Sequence, residues 1–134
     1  MTSPKISGFA AELREYALSL PETREEFPWG ERAFKVNGKV FIFMTAEEQR
    51  FSMKLPETGY QALTLPFADP THYGLGRHGW ITFKLSGRIN KALKEQFFDW
   101  ARESYKAVAP KQLARALDDS FPRGTKKRTR RRAS

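Results

Sequence analysis

The sequence predicts an α+β fold: an antiparallel sheet of about five strands with helices packed on one face, in the order α-β(3)-α-β(2)-α. Three observations lead there. Asn37-Gly38 sits between two apolar runs, "RAFKV" and "KVFIFMT", and this dipeptide readily supplies the positive φ angles of a tight hairpin. Hairpin-linked strands are antiparallel, because parallel neighbours need a long crossover. Long stripes of helical period occur near the two ends of the chain.

In chain order, Pro4 to Leu20 reads as an amphipathic helix. Phe9, Leu13, Tyr16, Ala17 and Leu20 recur on one face, Ser7 is the N-cap, and Pro21 is the stop. "ETREEFPWGE" reads as an acidic loop carrying Pro28, Trp29 and Gly30. The hairpin supplies the next two strands. The second is apolar on both faces (Val40, Ile42 and Met44 against Phe41 and Phe43), as a central strand should be. "AEEQ" turns the chain into "RFSMKL", where Phe51, Met53 and Leu55 alternate with Arg50, Ser52 and Lys54. Pro56 opens a short helix to about Leu65, with Tyr60, Leu63 and Thr64 facing inward.

"PFADPTHYGLGRHG" is a loop or irregular edge strand, and "WITFKL" is a strand with Ile81, Phe83 and Leu85 on one face. A second strong helix runs from about Arg88 to Ala109, with Ile89, Leu93, Phe97, Trp100, Ala101, Ser104 and Val108 on one stripe. Pro110 interrupts it, and "KQLARALDD" forms a last short helix. Residues 1–121 are thus expected to be a single domain. Residues 122–134 are expected to be a disordered basic tail, since only Ala133 there is apolar.

The chain has 134 residues, with 11 Phe, 4 Tyr and 3 Trp, enough to build one packed core. No apolar run approaches the roughly 20 residues that span a bilayer, and the N-terminus lacks a signal-peptide pattern. Cysteine is absent, which excludes disulfides, thiol catalysis and cysteine metal sites. A cytoplasmic monomer is the expectation. The net charge is +9, but seven of the 24 basic residues lie in the last twelve positions: Arg123, Lys126, Lys127, Arg128, Arg130, Arg131 and Arg132. Without them the chain is close to charge balance.

"GLGRHG" places Gly74, Gly76 and Gly79 in a G-x-G-x-x-G pattern. The phosphate-binding form of that pattern needs a strand before it and a helix after it, whereas "WITFKL" follows here. The glycines instead let the chain bend into the sheet. His72 and His78 are the only histidines and form no metal-binding spacing, so neither metal nor cofactor is expected. His78 as a general acid or base has no companion residue nearby in sequence.

Strand parity gives a more informative constellation. If Phe34, Val36, Phe51, Met53, Ile81 and Phe83 face the helices, the other face presents Lys35, Arg50, Lys54, Trp80, Thr82 and Lys84. Cations beside an aromatic can hold phosphates and stack on bases. The same pattern also suits an ordinary solvated sheet face.

Three segments, "LPETREEFPWGERAFKVNGKVFIFM", "FSMKLP" and "GLGRHGWITFKL", resemble the MmcQ/YjbR family in order and spacing, over roughly residues 10–115. The matching positions are Pro28, Trp29 and Gly30, then Phe34, Lys35, Gly38, Lys39 and Phe41, then Lys54, His78 and Trp80. The resemblance implies an α+β fold related to secretion-chaperone-like topology. It also implies a "double-wing" DNA-binding role, with two hairpin-like units as wings. It supplies no catalytic residue.

A non-enzymatic DNA-binding protein is therefore the leading expectation. Lys35, Lys39, Arg50, Lys54, Arg77, His78, Trp80 and Lys84 would contact DNA, and Lys126, Lys127, Arg128, Arg130, Arg131 and Arg132 would add salt-sensitive affinity. The alternative is a module for a protein partner or small anionic ligand, with a groove lined by Trp29, Lys35, Lys54, His78 and Trp80.

Overall fold

The computed structural model describes residues 8–27, 31–45, 49–71, 79–86 and 89–120. The elements are α1 (Gly8–Ser19), β1 (Thr23–Glu26), β2 (Arg32–Val36), β3 (Lys39–Thr45), β4 (Arg50–Lys54), α2 (Gly59–Ala62), β5 (Ala68–Pro70), β6 (Trp80–Lys84), α3 (Lys91–Val108) and α4 (Lys111–Ser120). Every sheet pairing is antiparallel, in the spatial order β1-β2-β3-β4-β6-β5. The α+β class stands, with six strands among the described residues rather than about five. The additional strand is β1, which sequence patterning reads as a loop.

β1 escaped notice because "TREE" has no apolar residue, yet pairing and charge hold it. Glu25 lies opposite Phe34, on the helix-covered face. There it accepts hydrogen bonds from Arg14 Nη2 of α1 at 2.9 Å and Arg32 Nη1 of β2 at 2.6 Å. Arg32 is only 4% exposed, and its guanidinium lies 4.9 Å from the centre of the Phe27 ring. A cation this buried requires a partner, and Glu25 provides it.

The β2–β3 hairpin turns on Asn37 and Gly38, at φ +53° and +77°, as the dipeptide predicts. Within it the register shifts between Phe34 and Lys35: Phe34 faces Ile42, while Lys35 faces Val40. Phe41 is the extra residue of a β-bulge. Strict alternation predicts Phe41 and Ile42 on opposite faces; the bulge lets both enter the core at 0% exposure. Phe43 is left on the other side, beside Trp80.

α3 covers β3 and β4, and α1 lies across α3 and β1. Phe83 stacks on Trp100 at 4.8 Å, and the Phe97 ring meets both edge-on. Three consecutive residues of α3 make three separate attachments. Glu103 accepts from the backbone N–H groups of Glu57 and Thr58 and from the Thr58 hydroxyl. Ser104 Oγ, fully buried, accepts from Lys54 N at 2.8 Å and donates to the Phe41 carbonyl at 2.6 Å. Tyr105 donates its hydroxyl proton to the Pro21 carbonyl at 2.8 Å.

α2 is shorter than expected, and its orientation corrects the sequence reading. Gly59 and Ala62 face inward, whereas Tyr60 is 89% and Leu63 38% exposed and Thr64 is exposed as well. The approach to β6 explains this: a Cβ on Gly59 would already sit 3.6 Å from the Ile81 side chain. Small residues therefore take the inner side. α3 begins at Lys91 rather than near Arg88, and Asn90 Oδ1 caps it by accepting from Leu93 N at 2.8 Å. Gly79, at φ +88°, leads straight into β6, so a strand does follow the glycine pattern.

Candidate functional site

The helix-covered face carries Phe34, Val36, Phe51, Met53, Ile81 and Phe83, all buried. Parity therefore directs Lys35, Arg50, Lys54, Trp80, Thr82 and Lys84 to the opposite face, which no described helix covers. The register fixes the neighbours: Arg50 lies opposite Lys84, Ser52 opposite Thr82, and Lys54 opposite Trp80. Lys39 stands apart. It pairs with Val36 at the hairpin end, on the parity of the covered face, and is exposed.

Trp80 behaves differently from a free stacking platform. It is 8% exposed and its ring centre lies 5.6 Å from that of Phe43. The two rings form a small apolar centre within the helix-free face, with the cations around it. From β4 across β6 to Thr71, just past the end of β5, runs a row of hydroxyls: Ser52 Oγ lies 2.8 Å from Thr82 Oγ1, which lies 2.9 Å from Thr71 Oγ1. Arg50 Nη2 donates to Thr45 Oγ1 at 3.3 Å, and Thr45 donates to Glu31 Oε2 at 3.3 Å.

The charge on this face is mixed. Lys35 pairs with Glu26 at 2.8 Å, and the hydrogen bond from Lys35 holds the Glu26 carboxyl below its ordinary range. Arg24 lies opposite Lys35 and adds a further cation, while Asp69 lies opposite Thr82 and adds an acid. Lys54 and Lys84 form no ion pair among the described residues. Ser52, Thr71, Phe43, Arg24, Glu26 and Asp69 are the members of the face that sequence reasoning missed. Ser52 alone was recoverable, from its place between Phe51 and Met53. Phe43 needed the bulge, and Arg24 and Glu26 needed β1.

Trp29, Arg77, His78 and the cations Lys126, Lys127, Arg128, Arg130, Arg131 and Arg132 lie outside the described residues, as does the N-cap expected at Ser7. The groove drawn between the "FPWG" and "RHGW" segments lies largely outside them too. Among the described residues, no group of His, Asp and Glu could hold a metal ion, and no helix is long and apolar enough to cross a membrane.

A family model, YjbR, matches residues 18–122. The crystal structure of the Deinococcus radiodurans protein DR2400, with its DUF419 domain, is similar to this chain, at 24% identity and a TM-score of 0.64. The likeness covers 83% of this chain and 86% of that one. It bears on the fold alone. No curated protein matches the chain.

Proposed function

This chain belongs to the YjbR family, and we propose that it is a non-enzymatic, cytoplasmic DNA-binding protein that works through the helix-free face of its sheet. The carrying observation is the convergence of Lys35, Arg50, Lys54 and Lys84, from three strands, on the one face that no described helix covers. Phosphate contacts of this kind position a protein on DNA without reading sequence, which fits the modest specificity expected. The antiparallel pairs β2–β3 and β5–β6 are the two wing-like units of the double-wing reading. With Trp80 largely buried, base stacking has a smaller part than phosphate contact.

The face is only moderately positive, because Glu26, Glu31 and Asp69 lie on or reach it. The basic segment beyond residue 122 therefore supplies much of the affinity, and the face sets the orientation. A labelled duplex of about 20 base pairs, titrated with a chain ending at residue 122 in low salt, tests the face by itself. Micromolar binding, weakened about tenfold by Lys54→Glu, is the expected result. Binding by the full chain with none by the shortened one would leave the C-terminal segment as the nucleic-acid element and remove the face from the proposal.

A further inference from the structure

We propose that the groove between α2 and the first half of α3 binds an uncharged planar heterocycle of the nucleobase type, with the indole N–H of Trp100 and the side-chain amides of Gln61 and Gln96 as its polar contacts. This site goes beyond the DNA reading and does not depend on it. It lies on the helix-covered side of the sheet, where Trp100 packs on Phe83 and Gly59 on Ile81, away from Lys54 and Lys84.

The groove has a volume of about 470 Å³, within the range of about 300–1,000 Å³ typical of small-molecule sites. Trp100 and Leu93 line it from α3, and Phe67 from the segment that enters β5. Phe67 is anchored, since its ring centre lies 6.3 Å from that of Phe83, which stacks on Trp100 at 4.8 Å. Glu103 of α3 holds the backbone N–H groups of Glu57 and Thr58 at the start of α2. The two walls therefore keep their spacing without a ligand.

Three polar groups of the lining lack partners. Trp100 is 5% exposed; it makes ring contacts with Phe83 and Phe97 but no hydrogen bond among the described residues. A buried indole N–H ordinarily has an acceptor. The rings around it offer none, and the groove is the open side from which one can arrive. Gln61 of α2 and Gln96 of α3 line the same groove, and their side-chain amides likewise form no hydrogen bond among the described residues. The other polar groups there are engaged: Thr58 donates to Glu103, and Asn90 Oδ1 accepts from Leu93 N.

The lining selects the ligand. No charged side chain is among the described residues that line the groove, so neither an anion nor a cation gains there. Phe67, Leu93 and Trp100 favour a flat apolar body. Each glutamine amide sets a donor beside an acceptor in one plane. That complements an edge on which donor and acceptor adjoin, as on a purine or pyrimidine base. Such a base can belong to a free nucleoside or to a nucleic-acid strand.

Inosine, adenosine and uridine, titrated in turn into the isotope-labelled full-length chain, test the site. The signal to follow is the Trp100 indole N–H, identified by its loss in Trp100→Phe. Saturable movement of that signal and of the Gln61 and Gln96 side-chain amides is expected with at least one nucleoside. Affinity should fall about fivefold in Gln96→Ala and stay unchanged in Lys54→Glu. Gln96 is exposed, so its replacement leaves the core intact. No saturable shift with any of the three, or undiminished affinity in both Gln61→Ala and Gln96→Ala, would overturn the site. So would binding of inosine monophosphate about tenfold tighter than inosine, since that gain requires a cation the groove lacks. A short single-stranded oligonucleotide forms the second arm. Movement of the Trp100 signal by the strand, lost in Gln96→Ala, supports the site with a base from nucleic acid; movement by nucleosides alone supports it with a free nucleoside.

Discussion

Ser104 shows how one small side chain completes the sheet. The bulge at Phe41 takes its carbonyl out of the regular ladder, and the Ser104 hydroxyl receives one backbone group and serves another at 2.8 and 2.6 Å. Replacing it with alanine leaves a part-buried N–H and a buried carbonyl without that partner. Ser104→Ala should therefore lower stability by about 2–4 kcal/mol, read from the urea midpoint. A loss below about 0.5 kcal/mol would mean that other groups take over the two bonds. The sequence places Ser104 on the inner stripe of α3 but gives it no partner, because the bulge leaves no mark in strict alternation. Trp80 has a similar history. Its face follows from parity, whereas its burial depends on Phe43 reaching the same side.

β1 and α2 are the elements where sequence patterning and structure part, each for a physical reason. β1 is held by backbone pairing and by the Arg14–Glu25–Arg32 cluster, none of which depends on apolar alternation. α2 is turned by the close approach of Gly59 to Ile81, a contact between segments distant in sequence. The β2–β3 hairpin was legible because its signal is local: Asn37 and Gly38 tolerate the φ angles that the turn needs. Burial pushes the Glu25 carboxyl up, but the hydrogen bonds and charges of Arg14 and Arg32 outweigh it and hold it below its ordinary 4.5. A carboxyl so placed stabilises the fold above its unfolded value and loses that contribution as pH falls through the folded one. Glu25→Gln should cost about 3 kcal/mol at pH 7, because it removes the negative charge that Arg14 and Arg32 share. It should also flatten the loss of stability on acidification below about pH 4.5. An acid-unfolding curve of unchanged shape would show that Glu25 does not set it.

For the molecule as a whole, class, element order and the helix-covered face were legible, since each rests on periodicity accumulated over many residues. The composition of the helix-free face was legible only in part, because acids from β1 and β5 join it through pairings that sequence does not display. Charge is divided along the chain in a way that can be measured. Seven cations beyond residue 122 should steepen the dependence of log affinity on log salt by up to about six on duplex DNA. The full chain and a chain ending at residue 122, compared from 50 to 200 mM salt, give that difference; equal slopes would place all the phosphate contacts on the sheet.

The attachments of Glu103, Ser104 and Tyr105 bear on motion as well as on stability. Successive residues of an α-helix are rotated by about 100°, so these three grip the protein in three directions. A turn or slide of α3 by one residue would release all of them together. α3 thus has a single seating, and the backbone of Lys54 is clamped from behind by Ser104 while its side chain lies on the opposite face. A ligand arriving at that face meets a strand whose backbone is already held, so the ordering that opposes its binding is that of the side chains.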